Sequence, residues 1–280
     1  MTMTATLDRV GRDGTLRLGF ERRGPATVLV RARYTLPLQV LAPIALDDPA
    51  AVVSIVNPTG GLCGGDRLTI DVSIGAAAHA CLTTPSATKV YRASGAAARQ
   101  DVALRLEAGA ICEWMPDHTI PFAGSALCQR IDVEVGDDAC LILVDAFAAG
   151  RVARGERWAF RRLDSAVTVR DTKGRLLHDR FVLTDDGALD AAALGAAEGR
   201  PYFASMTVIA AGAQAFRRAV AARFAVDRDV VIAAGALPRR GVLVRCLAPS
   251  APALLDAIDV LWAIARRELL GLPPLALRKP

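Results

Sequence analysis

A mainly β fold, β-helix-like or built from stacked strand layers and carrying a few helices that include one at the C-terminus, is what this sequence predicts. Three observations carry that prediction. From Thr15 to about Val182, apolar residues recur with a period of two rather than 3.6, which marks strands with one buried face. Within that stretch, three strand–turn–strand segments resemble one another. The clearest helical periodicity begins only after Ser250.

Each element follows from its pattern. Leu16, Leu18 and Phe20 alternate with Arg17, Gly19 and Glu21, and Val28–Tyr34, Val52–Val56 and Leu68–Ile74 read the same way. Leu68–Ile74 leads through Gly75-Ala76 to a second strand, His79–Thr83. Val102–Leu106 leads through Gly109-Ala110 to Ile111–Trp114, and Ile131–Val135 leads through Gly136 and Ala139 to Cys140–Val144. Aligning Ile74, Leu106 and Val135 gives steps of 32 and 29 residues. A unit recurring at that step points to stacked layers, as in a solenoid, with a plain meander as the alternative.

After Arg180 the character changes. The alanine-rich segment 189–198 reads as a short helix or a mobile loop. Tyr202–Ala210, Val230–Ala234 and Val242–Cys246 read as strands, and Gln214–Phe224 as a helix with Phe216, Val220 and Phe224 four apart. Ser250 is placed to cap the last helix, with Pro252 in its first turn and Leu254, Leu255, Ile258, Leu261, Trp262, Ala265 and Leu269 on one face. Arg266 and Arg267 are expected to complement the helix dipole, and Gly271 with Pro273-Pro274 to end it. The chain is read as one domain over 1–280, with 1–14 a flexible N-terminus, 15–182 a strand-rich body and 183–280 a mixed part.

The 280 residues carry 34 basic and 29 acidic side chains, a formal net charge of +5. The basic residues come at most in pairs such as Arg161-Arg162, so a nucleic-acid partner is not expected, because phosphate binding needs clustered charge. Hydrophobic residues make up 52%, and the mean hydropathy is +0.31. Yet no run reaches the roughly 18 apolar residues of a membrane span, and the best candidate, Ala139–Ala149, is broken by Asp145. Met1–Gly14 lacks the apolar core of a signal peptide, so a cytoplasmic protein without a membrane partner is expected. The six cysteines form no Cys-x-x-Cys pair and read as small buried hydrophobes rather than a disulfide framework.

The most unusual segment is Asn57–Leu68, with Gly60, Gly61, Gly64 and Gly65 around Cys63 and before Asp66. It is no phosphate loop: Asp66 stands where the lysine belongs, and a strand follows instead of a helix. Its glycines read as a tight connection needing positive φ or close backbone packing. A hydrolase triad lacks support, since no Gly-x-Ser-x-Gly occurs and there are three histidines. His79 reads as a satisfied core residue, His178 as a surface salt-bridge partner and His118 as exposed on a loop. What remains is a loose set at strand ends: Cys63, Asp66, Glu113, Asp117 and His118. Such ligands suit transient handling of a divalent ion, although spacing alone favours solvated or ion-paired loop residues.

At these residues the chain resembles the urease accessory protein family UreD, also called UreH. The resemblance rests on Pro58–Leu68 with its Gly-Gly-Asp-x-Leu, on the Thr-Thr-Pro-x-Ala-x-Lys-x-Tyr-Arg string at Thr83–Arg92, and on Glu113-Trp-Met-Pro116. Gly150-Arg151, Gly155-Glu156, Asp179-Arg180 and Leu261-Trp262 extend it from about Leu16 to Leu270. Asn57, Thr59, Cys63, Asp117-His118 and the tail Leu275–Pro280 depart from the family pattern. The resemblance implies a scaffold rather than an enzyme, without a tightly bound cofactor, joining UreF and the GTPase UreG on the urease apoprotein. Nickel(II) would pass transiently to urease through an internal passage, with Asp66 and Glu113 as its first candidates. The alternatives are a purely structural clamp on apo-urease and a cytoplasmic hydrolase using His118.

Overall fold

The computed structural model describes residues 12–44, 46–185, 197–225 and 229–277. The chain opens with a hairpin, β1 (Asp13–Arg23) and β2 (Ala26–Tyr34), then β3 (Gln39–Val40), β4 (Ala51–Val56) and the short β5 (Gly61–Leu62). One layer follows as β6 (Arg67–Ile74), β7 (His79–Thr83) and β8 (Thr88–Val90), and a second as β9 (Ala98–Leu106), β10 (Ile111–Met115) and β11 (Thr119–Pro121). A third consists of β12 (Ala126–Val135) and β13 (Cys140–Ala148), before the hairpin β14 (Arg162–Asp171) and β15 (Gly174–Thr184). β16 (Tyr202–Ile209), α1 (Ala213–Arg223), β17 (Val231–Ala236), β18 (Val242–Ala248) and α2 (Ala251–Ala265) complete it. Asp13 and Gly14, which the sequence reading places in a flexible N-terminus, belong to β1 opposite Arg67 and Leu68, and 1–11 lie outside the described residues. So does 189–196, where a short helix or loop was expected.

Two sheets face each other. One has the order β15-β14-β12-β9-β6-β1-β2, and the main path of the other is β17-β18-β16-β13-β10-β7-β4-β3. β6, β9, β12 and β14 pair parallel in the first, and β4, β7, β10 and β13 in the second. Parallel neighbours need a crossover, and here each crossover is a strand of the opposite sheet. That makes the layered stack, and not a meander.

The aligned positions of the sequence are physical neighbours: Ile74 pairs with Leu106, and Leu106 with Val135. Each layer turns the same corner. Ala77, Gly109 and Asp138 take φ of 53, 66 and 54°, and Ala78, Ala110 and Ala139 tuck their methyls inside it. The corner closes through hydrogen bonds from those alanine N–H groups to the carbonyls of Gly75, Glu107 and Gly136. Because the register is kept, like side chains stack in rows. Leu16–Ile70–Val102–Ile131–Val167 is one row and Leu18–Val72–Leu104–Val133–Val169 the next, all buried between the sheets.

The far face of the second sheet is covered by α1 and α2, with Ile142, Val144, Met206, Phe216, Leu254 and Leu261 in a second core. β13 is therefore buried on both faces, which accounts for a sequence that is apolar throughout except at Asp145. Cys81, Cys112, Cys140 and Cys246 are buried free thiols, as the sequence suggests, while Cys63 is exposed. No described helix is long and apolar enough to cross a membrane.

The end of α2 differs from expectation in a way that fixes the whole helix. Ser250 Oγ accepts from Ala253 N–H as the predicted cap, and Gly271 takes φ 65° after the last turn. Arg266, however, does not sit at the surface answering the helix dipole; its side chain is fully buried. Its Nη1 donates to Glu113 Oε1 at 2.6 Å, Nη2 to Asp48, and Nε to the carbonyl of Pro273 at 2.9 Å. Glu113 also accepts from His79 Nε2 at 2.7 Å and from Trp262 Nε1. Glu113 thus stands in the middle of β10 beneath α2 and not at a strand end, and His79 is the satisfied core residue its sequence implies. Burial pushes the Glu113 carboxyl up, but the His79 hydrogen bond and the Arg266 charge outweigh it and hold the group below its ordinary value.

Removing one member of such a buried pair strands the other. Arg266→Met leaves Glu113 and Asp48 buried without their cation and is expected to cost about 3–5 kcal/mol in urea unfolding. Adding Glu113→Gln to that variant should return part of the loss; a single variant within about 0.5 kcal/mol of wild type would contradict this role.

Candidate functional site

The same register that stacks the aliphatic rows also builds a polar one. Two residues before Val102, Ile131 and Val167 stand Gln100, Gln129 and Ser165, neighbours across β9, β12 and β14 and facing the opposite sheet. From that sheet comes Asp145 of β13, on the same face as Leu143 and Phe147. Gln129 Nε2 donates to Asp145 Oδ1 at 2.8 Å and to Ser165 Oγ at 3.1 Å. Ser165 Oγ donates to Asp145 Oδ2 at 2.8 Å, and Gln100 Nε2 to Gln129 Oε1 at 3.2 Å. Among the described residues no cation is ion-paired with the Asp145 carboxylate, and burial dominates: it pushes the group up to about 6, against the Ser165 and Gln129 bonds and the more distant Arg245 charge.

This cluster lies against a cavity of about 100 Å³ between the sheets, room for a few waters or a partly hydrated ion. Gln100, Gln129 and Asp145 form its inner wall, and Thr84, Ser86 and Asp117 are among its other lining residues. The segment Thr83–Arg92 supplies much of that wall. Thr83 Oγ1 donates to the Met115 carbonyl at 2.8 Å, and Thr84 Oγ1 accepts from Asp117 N–H at 2.9 Å. The glycine loop forms another part. A Cβ on Gly61 would stand 2.3 Å from the Lys89 carbonyl oxygen, and one on Gly64 would stand 2.6 Å from Ala93 Cβ. Those glycines therefore serve close backbone packing, as read from the sequence. Gly150 and Glu156 close a loop in which Arg151 Nε donates to Glu156 Oε2 at 2.8 Å and its guanidinium covers the Phe122 ring.

The five residues singled out by sequence do not come together. Among the described residues, no three His, Cys, Asp or Glu side chains are grouped to hold a metal. Asp117 lines the cavity. Asp66 is buried in its own turn, where Oδ2 accepts from Cys63 N–H at 2.7 Å; burial pushes its carboxyl up against the pull of that N–H and of Arg12. Cys63 points to solvent. His118 is buried rather than exposed, its ring edge-on to Tyr202 at 6.0 Å. His178 makes no salt bridge among the described residues; its Nδ1 lies 3.1 Å from Thr168 Oγ1. Asp145, Gln129, Ser165 and Gln100 escaped sequence reading, although Asp145 was visible as the one charge in an eleven-residue apolar run.

Fold and site together define a layered β protein with a helical buttress on one sheet and, between the two sheets, a partly open chamber that Gln100, Gln129 and Asp145 line alongside apolar residues such as Ile70, Trp114 and Ile131. The family model of the UreD urease accessory protein matches residues 12–280. The chain is 41% identical over 238 residues to the urease accessory protein UreD of Sorangium cellulosum, covering 83% of this chain and 73% of that one. It is 35% identical over 277 residues to the urease accessory protein UreD of Deinococcus radiodurans, covering 98% and 97%. The chain belongs to the UreD urease accessory protein family.

Asp145 gives the chamber a pH signature. A carboxyl near 3.8 unfolded and about 6 folded stabilises the native state below pH 4, and that contribution is lost as pH rises through 6. Asp145→Asn is expected to remove that slope, worth roughly 3 kcal/mol, so that the variant gains on wild type between pH 4 and 7 in denaturant titrations. Parallel stability curves for the two proteins would contradict the buried, uncompensated carboxylate.

Proposed function

We propose that this chain is a scaffold for urease maturation, working in the cytoplasm on the urease apoprotein with UreF and the GTPase UreG, and that nickel(II) passes through its polar chamber as cargo. Family membership supports the maturation role, since the relatives it matches bear the name of accessory proteins. The observation that carries the nickel reading is the Asp145 carboxylate, buried with Gln129 and Ser165 beside the cavity.

The chemistry suits passage rather than storage. Asp145, the Gln129 side-chain carbonyl and Asp117 offer oxygen donors, which bind a first-row divalent ion less firmly than imidazole or thiolate. A carboxyl raised to about 6 is still mostly ionised near pH 7, so it meets an arriving cation as an anion, and a fall in pH through 6 weakens its hold on the ion. Asp66 and Glu113, the first candidates by sequence, are held in a turn and beneath α2 by bonds that fold the protein. Those commitments favour a structural clamp for that part of the molecule.

The test is complementation of a urease-positive cell lacking only this gene, with wild type, Asp145→Ala or Asp66→Ala supplied in parallel. Asp145→Ala should still co-purify with UreF while nickel per urease active site drops by roughly tenfold or more. Asp66→Ala should lower the yield of folded protein, with nickel falling only in proportion. Full nickel with Asp145→Ala would leave the clamp, and full nickel without the gene would end the maturation reading.

A further inference from the structure

The two ends of the stack are finished differently. At one end, ion pairs stitch the sheets together: Arg239 Nη1 meets Asp171 Oδ2 at 2.7 Å, and Arg245 pairs with Asp179. Arg240 Nη2 adds a bond to the Gly136 carbonyl at 2.8 Å. The other end, formed by β2 in one sheet and β3 with β4 in the second, carries no such ion pair between the sheets among the described residues, and His79 N–H reaches Thr27 Oγ1 of β2 at 2.8 Å. All but one of the large apolar side chains exposed among the described residues fall between Val28 and Leu46. Tyr34, Leu36 and Leu41 are 47, 50 and 51% exposed, and Val30 and Ile44 are exposed as well.

Register explains why they are bare. Tyr34 pairs with Leu16 and Ala32 with Leu18, so both point to the core side of the sheet. The layer that would cover them, one further turn of the stack, does not exist among the described residues. Stacked-layer proteins need a polar cap at each end, and an open strand edge with apolar side chains is a template for another chain. β2 is that edge, with no strand beyond it among the described residues.

We propose that this end is a docking surface for a different protein, whose contacting face is apolar and bordered by carboxylates. Charge selects the occupant. Arg31 and Arg33 are exposed on β2 and form no ion pair among the described residues; they alternate with Ala32 and Tyr34 and so project from the outer face of the same edge strand, with Arg17 on the neighbouring strand opposite Arg33. A second copy meeting edge to edge would set this arginine pair against itself in a pairing that buries both, which disfavours a homodimer. An acidic rim on another protein would pair with them, while main-chain groups of β2 supply hydrogen bonds to an added strand. The maturation reading enters only in the choice of proteins to test.

The experiment places a photo-crosslinking p-benzoylphenylalanine at position 34 in cells expressing the urease subunits, UreF and UreG, with position 178 on β15 as the control. Products are identified by mass spectrometry. The expected result is a product at position 34, absent at 178, joining this chain to UreF, UreG or a urease subunit. Arg31→Glu with Arg33→Glu should reduce it roughly tenfold, and the Arg→Lys pair should preserve it. Circular dichroism of the reversed variant, unchanged from wild type, separates lost docking from lost folding. No product at 34, a product joining two copies of this chain, or a yield indifferent to charge reversal overturns the proposal. If complementation succeeds while position 34 stays silent, the surface is wrong and the maturation role stands. If complementation fails while position 34 gives a charge-dependent product with one of those proteins, the reverse holds.

Discussion

The parallel register between β6, β9, β12 and β14 is the constraint on which the rest of this structure depends. Side chains on a strand alternate between faces, so a slip by one residue would turn every aliphatic row outward. Keeping the register stacks Val102 on Ile131 and Ile131 on Val167, and it equally stacks Gln100 on Gln129 and Gln129 beside Ser165. The chamber is therefore not carved into the fold. It is one polar row in a set of apolar ones, met by Asp145 from the facing sheet.

Two buried carboxylates show how differently the same burial can end. Both Glu113 and Asp145 are removed from water, which by itself favours their neutral forms. Glu113 has Arg266, His79 and Trp262 for partners and stays charged, fastening α2 across β10. Asp145 has an amide and a hydroxyl, which orient it without cancelling its charge. The first arrangement is complete and rigid. The second is short of positive charge, which is the property a passing cation would satisfy.

The sequence revealed the layered fold because its signal was local and repeated. The equivalence of Ile74, Leu106 and Val135 needed only period-two alternation and the corner alanines, and the register bears it out. The capped C-terminal helix was legible for the same reason. The site was not, because its members contact one another through the fold. Gln129 and Asp145 lie 16 residues apart, and Arg266 and Glu113 lie 153 apart. Nothing in an Arg-Arg pair after a helix distinguishes a surface cation from one that threads into a core. Asp66 drew notice through its glycines, and those glycines are what let it fold back onto Cys63.

The proposed passage of nickel(II) requires that the chamber hold the ion weakly, and the chamber's occupancy is the most direct test of that proposal. Crystals of the chain, soaked in nickel(II), would be measured on both sides of the nickel absorption edge. An anomalous peak within coordination distance of the Asp145 carboxylate, lost in Asp145→Asn, is the predicted result. A chamber without a peak, in crystals where nickel is bound elsewhere on the same chain, would contradict it.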